Sequence, residues 1–409
     1  MDIFKSLPEV KEMESMASGY PLLPALNVNA HFHSPYSYSS FHDIHEVFDL
    51  AEKDKVDVLG INDFLTTAGY DEFGEMALAR RRFPLFNIEF MGLVPEAQQK
   101  GIRINDPNNP GRIYFCGKGL MRSKNLSSEN KEILKKVFDE SLRQVRGMVS
   151  KLNQHLRMIG APFTLEFETI QNKYTKGLVR ERHIIKALRV ELSGHFQKDQ
   201  ECEEFLARLY VNGMPVAPLA DIPALENELR SRLLKKGGVA FVQENETAFL
   251  SIEAMRSIIL NAGGIPCYPV LLDDENGNFT EFEINYEELY RKLVDYKVFA
   301  IELIPRRNKL SVLKEFVNYF SGRQFLVMFG TEHNTSEKFP LAVDCREGEP
   351  LDESLKSINY ESACILAAHE YLLSKKEAGY IKENGDHRLE QKERFIRLGN
   401  AVIRRFIDR

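Results

Sequence analysis

The chain of 409 residues has few cysteines, little net charge and no long apolar run. Its five cysteines lie far apart, without a Cys-x-x-Cys pair and in an odd number, which favours free thiols in a reducing compartment. No uninterrupted apolar stretch reaches the roughly 18 residues of a transmembrane helix. The charged N-terminus "MDIFKSLPEVKEMESM" also lacks the apolar centre of a signal peptide. We therefore expect a cytoplasmic protein without membrane contact.

The formal net charge of -6 gives no general attraction to nucleic-acid polymers or anionic lipid, so neither is an expected partner. The hydrophobic content of 43% and the charged content of 28% are ordinary for a folded protein. We find no internal repeat and no low-complexity segment. The sequence leaves the oligomeric state open.

Strand-like and helix-like segments alternate through much of the chain, which predicts an α/β protein with a largely parallel sheet, open or closed into a barrel. One helix is predicted after a capping box formed by Ser40 and Asp43. The predicted strands are "ALNVNAHFH" (25–33), "KVDVLGIND" (55–63), "PLFNIEFMGL" (84–93), "IPCYPVLL" (265–272), "VFAIELIP" (298–305) and "FLVMFGTEH" (325–333).

Two helical regions interrupt or follow this alternation. A long helix pattern at 124–158 and two or three more at 178–236 predict a helical subdomain inserted at 124–250. The barrel then comprises 25–123 and 251–350, after an N-terminal extension at 1–24. The tail, 351–409, ends in "RFIRLGNAVIRRFIDR", whose apolar residues predict an amphipathic helix packed on the barrel.

Polar residues gather where the predicted strands end, and in β/α proteins those ends share one mouth. His31 and His33 lie on one face of their strand because side chains repeat with a period of two. Two imidazoles and nearby carboxylates suit Zn²⁺, Mn²⁺ or Fe²⁺, so we expect one or two divalent ions. Glu89 is a candidate ligand because a carboxylate in an apolar strand is costly unless paired. Asp63 is equally consistent with a helix cap or an Asx-turn.

The ordered motifs resemble the polymerase and histidinol phosphatase (PHP) superfamily, which implies a distorted (β/α)7 TIM-like barrel that hydrolyses phosphoesters with bound metals. "NAHFHSPYSYSSF" resembles D-x-H-x-H-S-x-x-S-D-G, "VLGINDF" resembles the T-D-H motif and "NIEF" resembles the G-x-E motif. Later segments are similar to further motifs of the superfamily, namely "AGGIPCYP", "FAIELIP" and "VMFGTEHN".

"GLVRERHIIKAL" resembles the inserted helical segment of the metal-dependent phosphoesterase branch, which implies that Arg182 and His183 face the site. Several motif positions depart from the family pattern. Tyr38 and Glu332 stand at positions where the family has Asp. Three positions where the family has His carry other residues here: Phe64, Tyr268 and Asn334. The metal motifs are therefore degenerate.

The resulting expectations assign three roles. The catalytic candidates are Asp63 and His333, which would move a proton. The candidate metal ligands are His31, His33, Glu89, Glu332 and His333, and the candidate substrate contacts are Arg182, His183, Tyr268, Glu302 and Arg306.

We predict a metal-dependent hydrolase that uses a metal-activated water. The favoured form of this prediction is a phosphoesterase that acts on a small anionic substrate such as a phosphorylated metabolite or nucleotide. Two alternatives stay open. One is a non-hydrolytic isomerase or lyase acting on a sugar acid, and the other is a catalytically inactive PHP-like binding protein.

Overall fold

The computed structural model describes residues 3–121, 126–211 and 213–408. Its strands form one sheet in chain order: β1 (Val28–Phe32), β2 (Val58–Phe64), β3 (Phe83–Leu93), β4 (Arg112–Lys118), β5 (Ile265–Val270), β6 (Ala300–Leu303) and β7 (Leu326–Phe329). The sheet curls until Phe32 forms a parallel bridge with Glu332, just after β7. The result is a distorted TIM-like barrel, which confirms the predicted fold class.

Helices cover the barrel and form the insertion and the tail. Within the described ranges the α-helices are α1 (Val10–Met16), α2 (Ile44–Lys53), α3 (Tyr70–Arg80), α4 (Pro95–Gln99), α5 (Ser128–Met158), α6 (Phe167–Tyr174), α7 (Glu181–His195), α8 (Asp199–Leu209), α9 (Ile222–Leu233), α10 (Ile252–Asn261), α11 (Tyr286–Asp295), α12 (Leu310–Ser321), α13 (Glu353–Ser374) and α14 (Lys392–Ile407).

Two local predictions need correction. Strand β4 was not expected, and it runs antiparallel to both β3 and β5, whereas the other strand pairs are parallel. Helix α2 is capped by Asp43, whose carboxylate accepts a hydrogen bond from the backbone N–H of Glu46, rather than by Ser40. Asp43 has the extended backbone conformation of an N-cap residue, so its side chain reaches the first turn.

The strands are buried on both faces, as expected for parallel strands covered by helices. Every residue of β2 is buried, and β2 pairs with β1 on one side and β3 on the other. This explains why its sequence, "VLGINDF", is mostly apolar. Its polar residues Asn62 and Asp63 lie at the carboxyl end, where the barrel opens.

The barrel closes along a seam between β1 and β7 in two different ways. Near the mouth, the backbone N–H of Thr331 donates to His31 O at 2.9 Å, and that of His33 donates to Glu332 O at 2.7 Å. Deeper in the barrel, the side chain of Asn359 in α13 joins the two strands. It accepts a hydrogen bond from the Phe329 N–H at 2.9 Å and donates one to the Val28 carbonyl at 3.1 Å. Helix α13 thus completes the sheet where the strands separate.

Helices α5 to α9 share a second hydrophobic cluster, separate from the barrel core. The expected boundaries of this subdomain stay predictions, and residues 123 and 124 lie outside the described residues. The predicted helical character of the tail is confirmed, and the apolar side of α14 is buried against α13 and the barrel core: Phe395, Ile396, Ile403 and Phe406. Among the described residues, every helix is too short or too polar to cross a membrane.

Candidate metal centre

The structure brings together His31, His33 and Glu89, three of the expected metal ligands. Their ligand atoms all lie within 4.8 Å of one another, and all three side chains are buried. The Nε2 atoms of the two histidines are 3.3 Å apart, and Glu89 Oε2 is 3.7 Å from His33 Nε2. The period-two spacing of β1 and the register of β3 beside β2 create this cluster.

The hydrogen bonds of His31 fix which of its nitrogens carries the proton. Its Nδ1 lies 3.0 Å from Glu302 Oε2. Burial would raise the pKa of Glu302, but Lys118 and His31 outweigh it and hold that pKa well below its usual range. Because the ionised carboxylate only accepts, Nδ1 of His31 donates, and its Nε2 is left with a lone pair.

Hydrogen bonds through Ser37 likewise give His33 a proton on Nδ1 and a lone pair on Nε2. The Ser37 hydroxyl donates to Asp63 Oδ1 at 2.7 Å, so its oxygen accepts from His33 Nδ1 at 3.1 Å. Ser34 also donates to this carboxylate, through its backbone N–H and its hydroxyl. Burial, followed by the neighbouring His31, lowers the pKa of His33 well below 6.5, which keeps the ring neutral with a lone pair on Nε2.

Two lone pairs therefore face each other at 3.3 Å beside a carboxylate. A cation among the three groups would relieve the repulsion between the lone pairs, and two imidazole nitrogens with one carboxylate oxygen are ligands that Zn²⁺, Mn²⁺ and Fe²⁺ accept. Burial raises the pKa of Glu89 to about 8, with the charge of Glu332 adding to the rise. The residues fit a divalent metal ion, whose charge would keep the Glu89 carboxylate ionised.

Residues deeper in the barrel orient the cluster. Glu302 is 1% exposed and binds both His31 and Lys118. The sequence analysis expected Glu302 to contact substrate, but the structure places it behind the candidate ligand His31. Carboxylates behind metal-binding histidines commonly orient the ring and raise its basicity. Cys116 and Lys118, which sequence reasoning missed, come from the unexpected strand β4.

Arg180 reaches the mouth from the residue before α7 and lies over the ring of Phe64, with its guanidinium carbon 3.7 Å from the ring centroid. Phe64 is the residue that stands where the PHP motif, which this segment resembles, has a histidine. The positive charge of Arg180 acts on both His33 and Glu89. The guanidinium is half-buried and has no ion-pair partner within the described part of the chain, so it is available to an anion at the mouth.

The structure does not bring His333 into this cluster. Its ring lies between those of Phe41 and Phe339, with centroids at 4.9 and 4.0 Å. Its Nδ1 contacts Thr331 Oγ1 at 2.8 Å and its Nε2 contacts Phe339 O at 3.0 Å. Burial lowers the pKa of His333 to about 4. Both nitrogens are engaged, so the expected ligand and proton-transfer roles of His333 are not supported.

Asp63 and Glu332 occupy positions on either side of the cluster. Asp63 holds the turn at Ser34 and Ser37, and burial raises its pKa to about 6 even though the serines oppose the rise. It therefore positions His33 instead of facing the mouth. Glu332 accepts from Arg307 and from Asn334, and its charge acts on Glu89. It lies beside the cluster but outside the group of three.

Tyr268 is fully buried and donates to Glu283 Oε1 at 2.8 Å. It packs against Phe282, whereas the preceding residue, Cys267, is within electrostatic reach of Glu302. Successive strand residues point to opposite faces, so Cys267 faces the barrel interior and Tyr268 faces away from it. The expected substrate contact through Tyr268 is thus corrected.

The remaining expected substrate contacts have protein partners. Arg306 makes a two-pronged pair with Asp344, at 3.0 and 2.8 Å. Arg182 donates to Asn227. His183 accepts from the backbone N–H of Arg180 at 3.0 Å and thereby helps to begin α7. The structure places Arg180, rather than Arg182 or His183, at the mouth.

No protein-family model matches the chain, and no curated protein matches it by sequence. Its structure is similar to that of a candidate metal-dependent phosphoesterase from Bifidobacterium adolescentis, with 15% identity and a TM-score of 0.52 over 82% of this chain and 96% of that one. An amidohydrolase from Chromobacterium violaceum, solved with sulfate and no metal, has 16% identity and a TM-score of 0.48, over 81% and 96%. The first comparison establishes a shared fold.

Proposed function

We propose that this protein is a metal-dependent hydrolase that acts on a small anionic substrate, first of all a phosphoester. The observation that carries the proposal is the pair of Nε2 lone pairs of His31 and His33, 3.3 Å apart beside Glu89. A bound cation would make this buried arrangement favourable. The fold shared with a candidate metal-dependent phosphoesterase supports the same reading.

The chain's own residues divide the work. His31, His33 and Glu89 would hold the ion, with Glu302 and Ser37 fixing the two rings. A divalent ion at such a site lowers the pKa of water and neutralises charge on a phosphoryl oxygen. Nearby, the guanidinium of Arg180 would bind the substrate's phosphate, held in place by stacking on Phe64.

A catalytically inactive binding protein is the second candidate, and one observation favours it. The two residues expected to move a proton, Asp63 and His333, are both engaged by protein groups. Metal binding and anion binding would survive in such a protein, whereas turnover would not.

One experiment tests both. The purified protein and its His31→Ala/His33→Ala variant are dialysed against Mn²⁺ or Zn²⁺, analysed for metal, and assayed against a panel of phosphomonoesters and phosphodiesters. We expect metal in the wild type, loss of it in the variant, and hydrolysis only by the loaded wild type. Metal without turnover favours the binding protein, and a wild type without metal contradicts the proposal. His42→Ala/His45→Ala, a pair of histidines outside the cluster, is the matched control.

A further inference from the structure

A second group of metal-ligating side chains lies deeper in the barrel. The ligand atoms of His31, Cys116 and Glu302 are within 4.8 Å of one another, and all three residues are buried. Cys116 pairs with Glu89 in the sheet register, and Lys118 is two residues further along β4, towards the floor of the barrel. A second ion here would bind the Cys116 thiolate, the Glu302 carboxylate and Nδ1 of His31, and the Nδ1 proton would be released to solvent because Nε2 of His31 faces the first ion.

Lys118 already supplies a positive charge to this group. Its side chain is fully buried, and its Nζ is 2.5 Å from Glu302 Oε2 and 3.1 Å from Asn62 Oδ1. A buried ammonium is costly unless it is paired and hydrogen-bonded, and Lys118 has both kinds of partner. The carboxylate oxygen that binds Lys118 is also the one that binds His31.

Asn62 connects Lys118 to the other two members of this group, Cys116 and His31. Because Lys118 donates to Asn62 Oδ1, the amide nitrogen of Asn62 faces the opposite way. That nitrogen lies 3.5 Å from Cys116 Sγ and 3.1 and 3.2 Å from the two ring nitrogens of His31. Glu302 therefore faces the ammonium of Lys118, whereas the Cys116 sulfur and the ring of His31 lie beside the amide nitrogen of Asn62.

We propose that the ammonium of Lys118, together with the amide of Asn62, takes the place of a second metal ion, so that the barrel holds a single ion at His31, His33 and Glu89. A dication at the second group would lie close to the ammonium and repel it strongly in this buried setting. The inference rests on the proposed function, since it presupposes the first ion.

Metal stoichiometry tests this inference directly. The full-length wild type, Lys118→Ala and Lys118→Ala/Cys116→Ala are dialysed to equilibrium against Zn²⁺ alone and analysed for bound metal. We expect one ion per chain in the wild type, two in Lys118→Ala and one in the double variant. One ion in both the wild type and Lys118→Ala overturns the inference and leaves the proposed function intact. Two ions in the wild type also overturn it.

Cobalt spectroscopy identifies the ligand of the second ion. A thiolate bound to Co²⁺ gives an intense charge-transfer band in the near ultraviolet, so the band is expected in Lys118→Ala and not in the wild type. A thiolate band in the wild type overturns the inference. A wild type that binds neither Zn²⁺ nor Co²⁺ overturns the proposed metal site itself, and this result is distinct from the others.

Lys118→Met keeps the inference testable if Lys118→Ala does not fold, because methionine fills most of the same volume without charge. Removal of the buried positive charge should tighten binding of the first ion by about tenfold or more. The matched control is Lys292→Met, which removes a lysine from α11 on the outside of the barrel. Equal Zn²⁺ affinity in Lys118→Met and the wild type overturns the inference.

Discussion

The ring of Phe64 supports the guanidinium of Arg180, at 3.7 Å from ring centroid to guanidinium carbon. Phenylalanine cannot bind a metal, so a ligand of the motif that this segment resembles is absent at this position. In the structure the same position holds a cation from the helical insertion over the mouth of the barrel. The departure from the motif thus exchanges a candidate metal ligand for a candidate anion contact.

Arg180→Ala should weaken binding of inorganic phosphate to the metal-loaded protein by about 10- to 100-fold, the usual effect of losing a hydrogen bond to a charged group. Titration calorimetry measures this. Arg182→Ala is the control, since Arg182 donates to Asn227 and lies over Tyr38 instead of Phe64. Equal losses in the two variants would contradict the role given to Arg180.

Ser37→Ala should weaken Zn²⁺ binding by about tenfold, because His33 Nδ1 would lose the acceptor that fixes its tautomer. Competition with a chromogenic chelator measures the affinity. Ser39→Ala is the matched control from the same turn, since the Ser39 hydroxyl donates to the backbone carbonyl of His33 and leaves the ring alone. The proposed hydrogen-bond connection from Asp63 through Ser37 to His33 is refuted if the two variants bind Zn²⁺ equally well.

Gly330→Ala should lower the free energy of unfolding by about 2 kcal/mol, because overpacking a closed site forces neighbouring groups to shift. An added Cβ at Gly330 would lie 2.3 Å from His31 Cβ, at the seam of the barrel. Denaturant titration measures the change. In the control Gly194→Ala the new methyl group meets no atom within 4 Å, and we expect a gain of up to about 1 kcal/mol from better helix propensity. Equal effects would contradict the close approach.

Glu181 should make stability depend on pH in the acidic range. Burial would raise its pKa, but Arg230 and Lys235 outweigh burial and lower the pKa from 4.5 to about 2. For a carboxyl group with a lowered folded-state pKa, the stabilisation is present above pH 4.5 and is lost as the pH falls to about 2. Glu181→Gln should therefore cost about 2 kcal/mol at pH 7 and less at pH 3. Urea titrations at the two pH values measure this, and an equal cost at both would contradict it.

Much of the barrel was predictable because its parallel strands are nearly continuous apolar runs. The spacing of His31 and His33 likewise placed both rings on one face, and the carboxylate of Glu89 stood out in an apolar strand. These features depend on local pattern. They need no knowledge of distant contacts.

The missing parts depend on tertiary structure. Strand β4 ends in Gly117 and Lys118 and pairs antiparallel with β3 and with β5, which lies far along the chain, although the turn-rich "NDPNNPG" before it was a signal. The motif around Tyr268 was matched one residue away from the inward position, and a slip of one residue moves a side chain to the other face. At His333, positive φ values at two successive residues turn the ring towards Phe41 and Phe339.

The seam has a consequence for how the protein is made. A chain leaves the ribosome from its N-terminus, so all seven strands and every candidate ligand emerge before Asn359, which joins β1 to β7. A nonsense mutation just before α13 would yield a product with all of its ligands and an unsealed sheet, in which the backbone groups of Phe329 and residue 28 lack these partners. Translation of the tail is therefore the step that completes the barrel.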